Sequence, residues 1–267
     1  MISSCRGLNK AHCMERPNMS MDELDRIAAE YHLNKAIPDM HIENLGQEYF
    51  IDWLLHHIKP SMRVLELGYG DGLVTQALLE AGVDLTLLEG ASTLAKIARN
   101  KHPKLNCVHT LFENYCPKPK QNFDLVLVSH VLEHVDAPVL LLQQISNWLD
   151  ITGMLVAVVP NKNSVHRQLA VMMGLQPELD TLSQRDLMVG HQRVYSLSLL
   201  EKHIRGAGFE IVDSAGFFLK VLPNSMMLDY SKELLQGLNR ISPQIPKELL
   251  ANIAVVARKP QPDENRI

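Results

Sequence analysis

"VLELGYGDG", residues 64–72, is an apolar run that breaks into alternating glycines. A strand that ends in a glycine turn and leads into a helix is a common holder of nucleotides. Two nucleotide motifs do not fit. The dinucleotide fingerprint G-x-G-x-x-G needs a third glycine inside the helix, and here Gly68, Gly70 and Gly72 are followed by Leu73. A phosphate-binding P-loop needs Lys-Ser/Thr at the helix start, which is absent. The charge is also wrong for phosphate. Glu66 ends the strand and Asp71 lies in the turn, and two carboxylates suit a ligand with a cationic end.

Outward from the turn, the chain alternates. Strands are expected at Arg63–Leu67, Asp84–Leu88, Leu105–His109, Phe123–Ser129 and Met154–Val159. Helices are expected at Leu73–Ala81, Ser92–Lys101 and Pro138–Leu149. Near-continuous apolar strands between helices are the pattern of a parallel sheet covered on both faces. Two helices precede it, one over MDELDRIAAEY with Ser20 as N-cap, the other over 44–58 with Leu45, Tyr49, Trp53 and Leu54 as its apolar stripe. The rhythm breaks after Pro160 and resumes with a helix (Leu197–Gly206), a strand (Phe209–Ser214) and a late strand (Ile253–Arg258). The expected organisation is a leader with capping helices over 1–58 and a main domain over 59–260. That domain carries a lid insertion at 161–195 and a second insertion at 216–250.

Glu89 ends the second strand, where an acid accepts hydrogen bonds from both ribose hydroxyls. The ligand therefore has a ribose, a positive end and no phosphate. S-adenosyl-L-methionine has all three features.

"VLELGYGDG", Glu89 and "FDLVLVSHVLEHV" together resemble the class I S-adenosylmethionine-dependent methyltransferases, over residues 62–214 and in part the final strand. The resemblance implies a Rossmann-like, doubly wound seven-stranded α/β sheet with the last strand antiparallel. It places Gly68 and Gly70, in the turn that Gly72 closes, along the methionine part of the cofactor, with Glu66 nearby. It places Glu89 on the ribose, Leu111 and Phe112 at the adenine, and Ser129 and His130 beside the transferring methyl. Many members carry Asp where this chain has Leu111, so adenine recognition falls to backbone groups and the Phe112 ring.

Two polar constellations remain. In "SHVLEHV", His130, Glu133 and His134 share one face if helical. They tie down the loop after the fourth strand, act on the substrate through His130 or His134, or hold a divalent metal, as in similar-looking quinone-biosynthesis O-methyltransferases. In "GHQRVYS", His191, Arg193 and Tyr195 cluster where the lid returns to the sheet. They either orient a substrate or pin the loop. His166 and Arg167 form a matching pair on the other side of the lid.

The reaction implied is in-line attack on the sulfonium methyl, helped by positioning and desolvation, with His191 or His130 as base. The preferred substrate is a hydroxyl of a small polar molecule: a sugar, a glycan precursor or a secondary metabolite. The rivals are a metal-assisted quinone O-methyltransferase, a tRNA or protein methyltransferase and a non-catalytic cofactor-binding protein. A net charge of −4 over 267 residues argues against a nucleic-acid partner. No apolar run approaches a membrane span, and the four cysteines lack C-x-x-C spacing. A cytoplasmic protein with reduced thiols is expected, with a homodimer one option for its assembly.

Overall fold

The structure, a computed structural model, describes residues 19–34, 36–119 and 121–260. The leader expected over residues 1–18, with Cys5 and Cys13, lies outside the described residues.

Seven strands form one sheet: β1 (Arg63–Leu67), β2 (Asp84–Glu89), β3 (Asn106–His109), β4 (Phe123–Ser129), β5 (Leu149–Pro160), β6 (Glu210–Phe217) and β7 (Asn252–Arg258). Their order is β3-β2-β1-β4-β5-β7-β6. The first five strands run parallel. The last strand, β7, lies between β5 and β6 and is antiparallel to both. The helices are α1 (Met21–Ile27), α2 (Met40–Leu55), α3 (Leu73–Glu80), α4 (Ser92–Lys101), α5 (Pro138–Trp148), α6 (Val165–Met172), α7 (Gln184–Met188), α8 (Leu197–Gly206) and α9 (Lys232–Arg240).

The strands read as continuous apolar runs because both faces are covered. Val64, Leu87, Leu125, Leu127 and Val156 point to one side. Leu65, Leu88, Val126, Val128 and Leu155 point to the other. After β3 the chain crosses back to place β4 beside β1. That reversal opens a crevice outside the carboxyl ends of β1 and β4, where doubly wound sheets bind ligands.

Several boundaries differ from the sequence reading. Helix α2 starts at Met40, not residue 44, because Ile42 also faces the core, fully buried. Helix α1 passes into a π-helical turn over Ala28–His32, which no residue pattern announces. Strand β6 runs on to Phe217, paired with β7 as far as Asn252.

The segment from 161 to 193 folds back on itself as α6 and α7, and its ends meet where Asn161 bridges Tyr195. The second insertion carries α9, whose Leu235 joins Ile42, Leu45, Phe218 and Met227 in a separate apolar cluster. Asn239 of α9 donates to the Leu45 carbonyl at 2.9 Å and so ties the insertion to α2. Among the described residues, no helix is long and apolar enough to cross a membrane.

Leu127 is fully buried in the central strand. Leu127→Ala is expected to cost about 2–5 kcal/mol of unfolding free energy, measured by chemical denaturation. A loss below about 0.5 kcal/mol, the range of surface substitutions, would contradict this packing.

Candidate active site

A cavity of about 380 Å³ opens over the crevice, walled by the carboxyl ends of β1, β2 and β4, the N-terminal helices, the lid and the second insertion. Gly68 and Gly70 line it with φ of +83° and +56°, values that favour glycine. The carboxyl of Glu66 is buried against the same wall and accepts from Thr75 Oγ1 at 2.7 Å. Burial, with the charges of Glu89 and Asp71 adding to it, pushes its pKa up to about 8. Glu89 is also buried and lines the cavity. Its Oε2 accepts from the Tyr69 N–H at 2.8 Å and its Oε1 from the Ala91 N–H at 2.7 Å. Burial raises its pKa despite these donors. Leu24, Ala91, Leu94 and Phe112 supply apolar wall. Ser129 and His130 sit at the end of β4, His130 with a φ of +54°.

Five expected site residues do not line the cavity: Gly72, Leu111, Glu133, Arg193 and Tyr195. Gly72 sits at a φ of +81°, where a Cβ would also fall 2.4 Å from the Tyr69 ring, so backbone conformation and packing both call for glycine. The Leu111 side chain packs against Gly90. Arg193 donates to the carbonyls of Leu132 at 2.8 Å and Val135 at 2.5 Å. Tyr195 is fully buried, its hydroxyl 3.3 Å from the Leu132 carbonyl. Arg193 and Tyr195 thus pin the turn after β4. Gln192 joins them through its N–H on the Glu133 carbonyl at 2.8 Å.

That turn is not helical, so His130, Glu133 and His134 do not share a helix face. The set within ligand reach of one another is instead Glu133, His134 and His191, with donor atoms all within 4.8 Å. Glu133 is fully buried, and neither of its oxygens has a hydrogen-bond donor. His130 Nδ1 lies 3.3 Å from Oε1, and His191 Nε2 lies 4.0 Å from it. Burial raises the Glu133 carboxyl, but the neighbouring His130 brings it below its usual range. Burial drives His134 down to about 4.

His191 lines the cavity, and its Nδ1 is 2.9 Å from Asp186 Oδ1. Asp186, at the start of α7, also accepts from Ser183 and from Arg167 Nη1 at 3.2 Å. Burial opposes ionisation of Asp186, yet His191, Ser183 and Arg167 hold its carboxyl well below the usual range. Arg167 itself borders the cavity, but its remaining nitrogens donate to the carbonyls of Leu179 and Thr181.

Residues 45–214 match the family described as a methyltransferase domain. The chain belongs to that family. This methyltransferase has S-adenosyl-L-methionine as its cofactor. Over 165 residues it is 27% identical to a protein-L-isoaspartate O-methyltransferase of Rhodopseudomonas palustris, covering 57% of this chain and 74% of the relative. Over 118 residues it is 29% identical to a ubiquinone biosynthesis O-methyltransferase of Xanthomonas campestris, covering 42% of this chain but only 49% of the relative. Among solved structures, a Burkholderia thailandensis 1,6-didemethyltoxoflavin-N1-methyltransferase bound to its substrate and S-adenosylhomocysteine superposes with a TM-score of 0.57, at 19% identity, covering 93% of this chain and 94% of that one.

The sequence reading missed Tyr31, His32, Glu43, Arg185, Asp186, Phe218 and Lys220, all of which line the cavity. Only Asp186 carried a signal: "SQRD" is a capping box, with Ser183 and Asp186 bonded reciprocally. The rest come from segments distant in sequence.

Burial keeps Glu66 protonated below about pH 8, whereas a cationic cofactor favours the carboxylate. Affinity for S-adenosylmethionine is therefore expected to rise as pH climbs toward 8, with proton release on binding below that value. Glu66→Gln should flatten the dependence. Calorimetry in buffers of different ionisation enthalpy reads both effects, and a pH-independent wild-type affinity would contradict this reading.

Proposed function

We propose that this methyltransferase transfers the cofactor's methyl group to a hydroxyl oxygen of a small polar molecule, a sugar, glycan precursor or secondary metabolite, with His191 as general base. The observation that carries the reading is the His191–Asp186 contact at 2.9 Å on the wall of the cofactor cavity. A carboxylate on Nδ1 fixes that nitrogen as the N–H and leaves Nε2 to accept a proton. The sulfonium is already a good leaving group, so the protein's tasks are to position the hydroxyl, exclude water and remove the proton as the C–O bond forms. The lid and the N-terminal helices supply the enclosure.

His191→Ala is expected to lower kcat by about 10²–10⁴-fold, the usual worth of a positioned base, with unchanged affinity for S-adenosylhomocysteine. Asp186→Asn should lower kcat in the same direction. A fully active His191→Ala protein would remove it as base.

One observation favours a second reading, the metal-assisted O-methyltransferase. A buried carboxylate is costly unless paired, and Glu133, whose ion-pair partner at 3.3 Å is His130, has His134 and His191 in ligand reach as well. A carboxylate and two imidazoles fit a divalent ion, and Asp186 behind His191 is the partner such a ligand usually has. The ion would polarise the hydroxyl, and His191 would then be a ligand rather than the base. Activity that survives chelation, in protein free of metal by elemental analysis, supports the base. Loss with chelator and recovery with a divalent ion supports the metal.

A further inference from the structure

The cavity is bordered by three strongly basic side chains, Arg167, Arg185 and Lys220. Two are already engaged. Arg167 is held by Leu179, Thr181 and Asp186. Arg185 donates to Asp39 Oδ1 at 2.6 Å and to Glu43 Oε1 at 3.3 Å, and its guanidinium lies over the Tyr31 ring at 5.8 Å.

Lys220 differs. Its side chain is only 12% exposed, and its nearest partner is Glu43 Oε1 at 3.7 Å, beyond hydrogen-bond reach. That oxygen already accepts from Asn224 at 2.5 Å and from Arg185. Among the described residues, no hydrogen bond is made by the Lys220 ammonium, so three donors stand unused beside the cavity.

Two neighbouring features point the same way. Phe218 is a buried cavity residue held at a φ of +63°. Its carbonyl accepts from the Lys220 N–H at 2.8 Å, so this strained turn aims Lys220. Such a backbone is strained and persists where the surroundings impose it, commonly at ligand sites. His166 also lines the cavity, and its Nδ1 is buried without a partner. His166, on α6, and Lys220, in the second insertion, line the same cavity.

We infer that Lys220 and His166 form a carboxylate subsite, and that the substrate is a small hydroxy acid whose carboxylate docks there while its hydroxyl meets the methyl group near His191. This assignment rests on the methyl-transfer reading above. A carboxylate brings two acceptor oxygens to groups that lack them, and an ammonium–carboxylate hydrogen bond is among the stronger kinds. A carboxylate brings a single negative charge to an ammonium whose one ion-pair partner, Glu43, is 3.7 Å away. A phosphate dianion would bring a second charge against Glu43 and Asp39. Lys220 is thus a specificity residue that binds substrate.

The test is calorimetric titration of the protein saturated with S-adenosylhomocysteine. The probes are 3,4-dihydroxybenzoate and glucuronate, each beside its methyl ester, and glucose 6-phosphate. At least one acid should bind tenfold or more tighter than its ester. Lys220→Met, which keeps the bulk and removes the charge, should bring that acid to the level of its ester with S-adenosylhomocysteine affinity unchanged. Equal binding of acids and esters, a preference that survives in Lys220→Met, or tighter binding of the phosphate would each overturn the assignment. Failure of both acids to bind while S-adenosylhomocysteine binds normally rejects the hydroxy-acid class and leaves methyl transfer standing. Failure of S-adenosylhomocysteine itself to bind strikes the underlying reading. If Lys220→Met does not fold, the acid–ester comparison on the wild-type protein decides.

Discussion

The carboxylate of Glu89 holds two turns at once. One oxygen takes the Tyr69 N–H of the glycine turn and the other takes the Ala91 N–H at the entrance to α4. It thereby fixes the end of β2 against the end of β1, and the remaining lone pairs of a buried acid face the cavity. Without that clasp the glycine turn would lose its only side-chain anchor from a neighbouring strand among the described residues. Asp25 of α1 adds a second clasp, accepting from Ser92 Oγ at 2.6 Å and the Thr93 N–H at 2.8 Å. The N-terminal helix is thus tied to the first turn of α4, beside the cavity.

The other half of the site depends on the turn after β4. Gln192, Arg193 and Tyr195 hold it by its backbone carbonyls. Because those side chains come from the returning end of the lid, the lid and the turn are one unit. That unit brings His191 to Glu133 and His134, with Asp186 behind it. Of the residues read as substrate contacts, Arg193 and Tyr195 bond to the backbone of that turn, while Arg167 borders the cavity and bonds to Asp186 and to the carbonyls of Leu179 and Thr181. Glu133 and His166 are among the buried groups with unmet hydrogen-bonding capacity, and with Lys220 they are the groups on which the proposed chemistry and recognition rest.

Much of this was legible in the sequence, for physical reasons. The sheet could be read because parallel strands buried on both faces leave uninterrupted apolar runs, and β1, β4, α4 and α8 fall at the expected residues. That the strand-end acids and the glycine turn line one cavity could be read because they are local in the chain. The substrate side could not. Glu43, Arg185 and Lys220 come from α2, the lid and the second insertion, and they meet through tertiary packing alone. The turn at 130–136 misled because i, i+3 and i+4 spacing implies one face only in a helix, and a His130 with positive φ is not helical. Gly72 misled because a glycine required by its positive φ and the Tyr69 ring looks, in sequence, like one required by a ligand.

The central claim is that the crevice between β1 and β4 is an S-adenosylmethionine site organised by Glu89. Titration of the protein with S-adenosylmethionine, S-adenosylhomocysteine and NAD, on wild type and Glu89→Ala, tests it most directly. Micromolar binding of the two adenosyl ligands, no binding of NAD, and at least a tenfold loss in the variant are the predicted results. Binding of NAD in their place, or an affinity unchanged by Glu89→Ala, would contradict the account.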